Sequence, residues 1–93
     1  MNYQIKEENQ KFLLIEEEKE IGNLKFIKDV EGDFIIESIF IEEAYRGEGY
    51  AQIIFNEFIE KVKKEKRKVI PICTYAQAQF RKRKSIQYLL KNV

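Results

Sequence analysis

Tyr45-Arg46-Gly47-Glu48-Gly49-Tyr50-Ala51 is the stretch on which the reading of this chain turns. An apolar run, Phe34 to Ile41, precedes it, and an amphipathic run, Ala51 to Val62, follows it. The order is strand, glycine-punctuated turn, helix start. Gly47 and Gly49 can take backbone conformations closed to other residues, so neighbouring amides can converge on an anion. The helix start adds unbonded N–H groups and the positive end of a dipole. Such a site suits a pyrophosphate. A plain strand-to-helix turn would carry the same glycines, so the flanking sequence has to discriminate.

Upstream of that stretch the pattern is one of strands. Tyr3 to Lys6 reads as a short strand, Glu8-Asn9-Gln10 as a turn, and Phe12 to Ile15 as a second strand. Glu16-Glu17-Glu18-Lys19 turns the chain again. Ile21 to Lys28 alternates apolar and polar, as a half-buried strand does. Glu31-Gly32-Asp33 then forms a hairpin turn, which makes the flanking strands antiparallel. Phe34 to Ile41 is apolar in both parities. Phe34, Ile36 and Phe40 are expected on one face, Ile35, Ile39 and Ile41 on the other, as in a central strand covered on both sides. Glu37 and Ser38 interrupt it, and a carboxylate there needs a partner or a cleft.

Downstream, the period changes. Ala51, Ile54, Phe55, Phe58, Ile59 and Val62 make one helical face, and the helix frays over Lys64 to Arg67. Lys68 to Ile72 is a strand with Pro71 unable to donate a ladder bond. Tyr75 to Arg83 is a second helix and Ile86 to Leu90 a last turn. The order is β-β-β-β-α-β-α, an α/β (α+β) domain with a mixed sheet. The strand–helix–strand passage makes the fifth strand parallel to the fourth. Ligands in such sheets lie at the carboxyl ends of strands. Here that end gathers Ile41, the Arg46 to Ala51 loop, Cys73 and Tyr75.

Ninety-three residues are expected to form one domain, 1–93. No apolar run reaches the roughly 18 residues of a membrane span. Neither a signal-peptide pattern nor paired cysteines are present, and a cytoplasmic protein is expected. With one Cys and no His, no zinc site is expected. Residues 1–49 carry 13 acidic and 6 basic side chains, whereas residues 50–93 carry 3 acidic and 11 basic. The basic half favours an anionic ligand: a phosphorylated cofactor, nucleic acid or an acidic partner. Nucleic acid ranks last, because the basic run lacks interleaved aromatics.

The Arg46-Gly47-Glu48-Gly49-Tyr50-Ala51 loop resembles the Arg/Gln-x-x-Gly-x-Gly/Ala loop of the GCN5-related N-acetyltransferase (GNAT) superfamily. Val69-Ile70-Pro71-Ile72-Cys73-Thr74-Tyr75, followed by Phe80-Arg81-Lys82-Arg83, resembles the C-terminal block of its small YjdJ-type members. The resemblance covers about residues 34 to 90. It implies a minimal GNAT-like sheet with central strands splayed for acetyl-CoA, and acetyl transfer to an amine on a small molecule or protein. It places the thioester and pantetheine along Ile39, Phe40 and Ile41. It places the pyrophosphate on the amides of Arg46, Gly47, Glu48, Gly49, Tyr50 and Ala51. The Arg81-Lys82-Arg83-Lys84 run could meet the adenosine 3′-phosphate, or be only a solvated helix end.

Three residues are candidates for the chemistry. Cys73 could carry the acetyl group, or be an ordinary buried small residue. Glu37 could be the base for the amine, or a carboxylate satisfied at the sheet. Tyr75 could protonate the leaving thiolate, or only pack. Two departures from the family stand out. Glu7 to Lys11 leaves no room for the helices that usually shape the acceptor site, so that side is open or completed by a partner protein. Ser38 stands where small members often carry a His just before a central-strand Thr, and it cannot replace that His as a base. A non-catalytic acyl-CoA-binding or protein-interaction module is the alternative.

Overall fold

The computed structural model describes residues 2–92. Five strands form one sheet in the order β1 (Gln4–Glu8), β2 (Lys11–Glu16), β3 (Lys19–Lys28), β4 (Phe34–Ile41) and β5 (Val69–Pro71). The first four are antiparallel in sequence order, and β5 runs parallel to β4. Helix α1 (Tyr50–Glu65) makes the crossover, and α2 (Thr74–Lys82) follows β5. Short 3₁₀ turns occupy Glu43–Tyr45 and Lys84–Leu89. The fold is therefore mixed α+β, with the element order the periodicity implies.

Tight turns explain the N-terminal half. Asn9 and Gln10 both have positive φ (44° and 63°), as do Glu17 and Glu18 (51° and 64°). Two consecutive positive values match the right-handed twist of a two-residue hairpin. Only a turn separates β1 from β2, with no helix between them.

The core lies between the sheet and the two helices. Phe26, Phe34 and Phe58 pack ring to ring at 5.4 to 5.8 Å, and Phe55 joins Phe58, Tyr75 and Phe80 at 5.9 to 6.4 Å. Each such side chain contributes roughly 2–3 kcal/mol by leaving water. Helix α1 ends in a left-handed Lys66, whose N–H reaches Lys63 O while Arg67 N–H reaches Val62 O (both 3.1 Å). That 6→1 and 5→2 pair closes the helix more firmly than the fraying expected over Lys64 to Arg67.

Strand β4 departs from simple alternation. Lys25 pairs with Ser38, but Phe26 pairs with Ile36, so Glu37 is an extra residue bulged out of the ladder. One extra residue reverses the facing of everything after it. Phe34 and Ile36 face the core before the bulge; Ile39 and Ile41 face it afterwards, and Phe40 is 48% exposed. The expected grouping of Phe40 with Phe34 and Ile36 is thereby corrected. The expected cover on both faces is corrected too. Both helices pack on one side, and Ile27, Phe40 and Ile72 are exposed.

At one end of the sheet, the β3–β4 turn is bonded mostly within the protein. Asp29 Oδ1 accepts from the N–H groups of Glu31 and Asp33, Asp29 O accepts from Gly32 N–H, and Asp33 Oδ1 accepts from Lys68 N–H. The carboxylates of Asp29, Glu31 and Asp33 converge, and the Lys91 ammonium lies among them at 2.5, 2.6 and 3.1 Å.

Candidate functional site

The opposite end of β4 is where the ladder comes apart. Strand β5 follows β4 only as far as the Ile36–Pro71 pair. Ile36 O then accepts from both Ile72 N–H (3.0 Å) and Cys73 N–H (3.2 Å), and the chain turns away into α2. From Glu37 onward β4 has β3 on one side and no strand on the other. Glu42 N–H donates to Ile21 O at 2.8 Å, which fixes the phase of the β3–β4 ladder. By alternation, the N–H groups of Ile39 and Ile41 point away from β3, into the gap that β5 leaves. Ile41 O agrees, since it accepts from Arg46 Nε at 2.8 Å on that side.

The gap is a cleft of about 430 Å³, lined from β4 by Ile39, Phe40 and Ile41, from the loop by Arg46, Gly47 and Gly49, and from α1 by Tyr50 and Ala51. Tyr75 closes it from α2. Two lining residues had no role assigned from sequence, Tyr45 and Gln52. Tyr45 had a legible signal, an aromatic beside the glycine loop. Gln52 had none, being one polar residue on a polar helix face.

The loop backbone has an unusual hydrogen-bond account. Gly47 (φ 81°) and Gly49 (φ 87°) are both left-handed, and Gly49 sits at the N-cap of α1 with no side chain capping it. A Cβ at either would meet nothing within 4 Å, so these glycines are needed for backbone conformation and not for space. The first helical bond is Ile53 N–H to Gly49 O. Consequently the six N–H groups of residues 47–52 have no acceptor among the described residues. The Arg46 N–H is already bonded to Glu43 O, so the free run begins at Gly47. A helix start leaves four donors open by geometry, and residues 47 and 48 extend the run.

Side chains around the cleft fall into two groups. Arg46 is held by Ile41 O and lies 5.8 Å from the Phe40 ring centre. Tyr75 is half-buried, and burial pushes its hydroxyl pKa up. By contrast, Glu48 is exposed and is not a lining residue. Cys73 is half-buried at the N-cap of α2 and is not a lining residue either. Glu37 lines a separate shallow depression with the β1–β2 turn, Lys25 and Ile27. Of the basic C-terminal run, Arg83 is tied to Asn56 Oδ1 at 2.7 Å, while Arg81, Lys82 and Lys84 are exposed.

The model for the family described as GCN5-related N-acetyl-transferase matches residues 3–89. The chain belongs to the GCN5-related N-acetyltransferase family. Solved structures share the fold of this GCN5-related chain. A GCN5-like protein of Staphylococcus aureus, assigned as an N-acetyltransferase, superposes with TM-score 0.75 at 18% identity, covering 97% of this chain and 89% of that one. An assigned acetyltransferase of Staphylococcus aureus Mu50 gives 0.62 at 23% identity, covering 78% of this chain and 61% of its own. The ribosomal-protein-alanine N-acetyltransferase of Brucella melitensis biovar Abortus gives 0.57 at 13% identity, covering 89% and 64%. The chain thus spans under two thirds of the latter two. No curated protein sequence matches it. Among the described residues, no helix is long and apolar enough to cross a membrane.

Proposed function

We propose that this chain is a small, YjdJ-type N-acetyltransferase, one domain over residues 1–93, that takes acetyl-CoA and acetylates a primary amine. The observation that carries this reading is the run of unbonded amides, residues 47–52, at the mouth of the β4–β5 cleft. Unpaired backbone donors are rare in folded proteins unless water or a ligand meets them. A run of them at a helix start fits a diphosphate.

In this reading the amides of Gly47 through Gln52 hold the pyrophosphate, with Arg46 adding charge. The exposed Arg81, Lys82 and Lys84 face the 3′-phosphate. The N–H groups of Ile39 and Ile41 bind the pantetheine arm and the thioester oxygen. Stabilising the oxyanion is where the main catalytic gain lies; losing one such donor costs about 10²–10³-fold in kcat. The amine nitrogen attacks the carbonyl carbon, the C–S bond breaks, and the thiolate leaves. Tyr75 gives the thiolate its proton, and the proton lost by nitrogen returns to Tyr75 through water. The raised pKa of Tyr75 keeps it in the donor form.

Direct attack is preferred over a relay through Cys73, because Tyr75 lines the cleft and Cys73 does not. Glu37 takes no proton in this route, since its side chain lies in a different depression. A second reading rests on that same separation and on the two-residue turn between β1 and β2. It makes the domain a non-catalytic acyl-CoA-binding module, or one whose acceptor side is completed by a partner protein.

Release of CoA from acetyl-CoA across a panel of amines, with intact-mass analysis, tests these readings. Turnover with at least one amine and no acetyl adduct on Cys73 is expected. Affinity for CoA without turnover selects the binding module. No affinity at millimolar CoA removes both.

A further inference from the structure

The glycine loop is fastened at both ends by a cluster that draws on four other elements. Tyr45 precedes the loop and Tyr50 follows it, and their rings meet edge to face at 6.1 Å. Tyr3, just before β1, meets the Tyr50 ring at 6.3 Å on another side. Lys19, at the start of β3, lies 5.9 Å over the Tyr45 ring and pairs with Glu42 at 3.3 Å. Tyr50 itself is 3% exposed, and its hydroxyl donates to Glu16 Oε2 at 2.5 Å across 34 residues of sequence.

The Tyr50–Glu16 bond sits oddly beside an anion site. Glu16 brings a negative charge next to Tyr50, a lining residue of the cleft that is to receive phosphates, where Glu48 already adds its own. A purely apolar ring at Tyr50 would fill the same space without summoning a carboxylate. The hydroxyl bond does what packing alone does not. It ties the first turn of α1 to the end of β2, next to the Gly49, Tyr50 and Ala51 amides. The Glu16 carboxylate in turn raises the Tyr50 hydroxyl to about 12, as expected of a donor held by an ionised acceptor.

We infer that Tyr50, acting through Glu16, is a positioning residue that holds the amides of residues 47–52 in their anion-receiving arrangement. This rests on the reading of that loop as the pyrophosphate site. Three variants separate positioning from its competitors. Tyr50→Phe and Glu16→Ala remove the bond. Glu16→Gln keeps an acceptor and removes the charge. Two readouts are taken: the calorimetric Kd for CoA, and ¹⁵N order parameters of residues 47–52 in the free protein.

Positioning predicts that Tyr50→Phe and Glu16→Ala weaken CoA binding about 5- to 10-fold. Their loop order parameters fall from about 0.85 toward 0.6. Glu16→Gln binds within about twofold of the parent, or tighter, since the acceptor survives. If Glu16→Ala and Glu16→Gln tighten binding equally, Glu16 acts by charge alone and the inference is wrong. If melting falls while Kd and order parameters stay fixed, the bond is merely structural and the inference is again wrong. Should the parent bind no CoA, the pyrophosphate reading fails by itself, and the order parameters of the free protein still decide whether the bond holds the loop.

Discussion

Two turns of this molecule look alike in sequence and are opposite in physics. Both carry glycine in a left-handed conformation, Gly32 at φ 87° and Gly49 at φ 87°. In the Asp29–Asp33 turn the N–H groups of Asp29, Glu31, Gly32 and Asp33 find partners within the protein, and Lys91 pairs with the three carboxylates. In the loop at residues 47–52, six consecutive donors find none among the described residues. The first turn spends its polar groups on folding, so it holds the chain together. The second leaves them open, and so is fit to receive a ligand. A glycine motif therefore identifies a turn, and the hydrogen-bond account identifies a site.

The sharpest way to break the comparison is to damage each turn in the same manner. Gly49→Val forces a β-branched side chain into left-handed backbone, with empty space around it. The expected outcome is a loss of CoA affinity of more than about tenfold, since the amides must leave their arrangement. Gly32→Val meets the Arg67 guanidinium at 3.0 Å as well as the same backbone penalty. It lowers the melting temperature and leaves CoA affinity within about twofold. Calorimetric binding and thermal melts of both variants check the pair.

The β3–β4 turn also has a pH signature. Lys91 holds Asp29 below the usual carboxylate range, and the Lys68 amide, with Lys91, does the same for Asp33. A depressed folded-state pKa contributes stability that is complete above the unfolded value, about 4, and is lost as pH falls through the folded value. Melting temperature should therefore drop as pH falls below about 4, and drop less steeply in Lys91→Met. CoA affinity at neutral pH should be the same in both.

Smaller effects sharpen the ligand end. Glu48 is exposed beside the free amides and repels a diphosphate. Glu48→Gln should tighten CoA binding about two- to threefold at low salt and do nothing measurable at high salt. Smallest of all, Lys66→Gly should stabilise the protein by up to about 1 kcal/mol, because glycine takes the left-handed helix end without strain. Chemical denaturation measures it, and CoA affinity should not move.

Much of this architecture was legible beforehand. The shift from period two to period 3.6 at the glycine loop fixed the element order, because strands and helices bury different spacings. The loop itself was legible because glycine takes positive φ at the least cost, and two glycines stand there between a strand pattern and a helix pattern. The bulge at Glu37 was not, since a run in which Phe34, Ile35, Ile36, Ile39, Phe40 and Ile41 are all apolar reads the same with or without an extra residue. Its consequence, Phe40 outward and Ile39 inward, needs the pairing with β3. Neither the Tyr50–Glu16 bond nor the Lys91 clasp could be read, because each joins residues brought close only by the sheet. Cys73 and Glu37 were placed near the chemistry by position along the chain. Whether a side chain lines the cleft depends on the turn of backbone at the splay.

The central claim is that the unbonded main-chain amides of residues 47–52 receive the diphosphate of acetyl-CoA. Amide NMR titration with CoA tests it most directly. The account predicts large shifts confined to Ile39, Ile41 and residues 47–52, with Asp29 to Asp33 silent. Shifts centred elsewhere, or none at millimolar CoA, would contradict it.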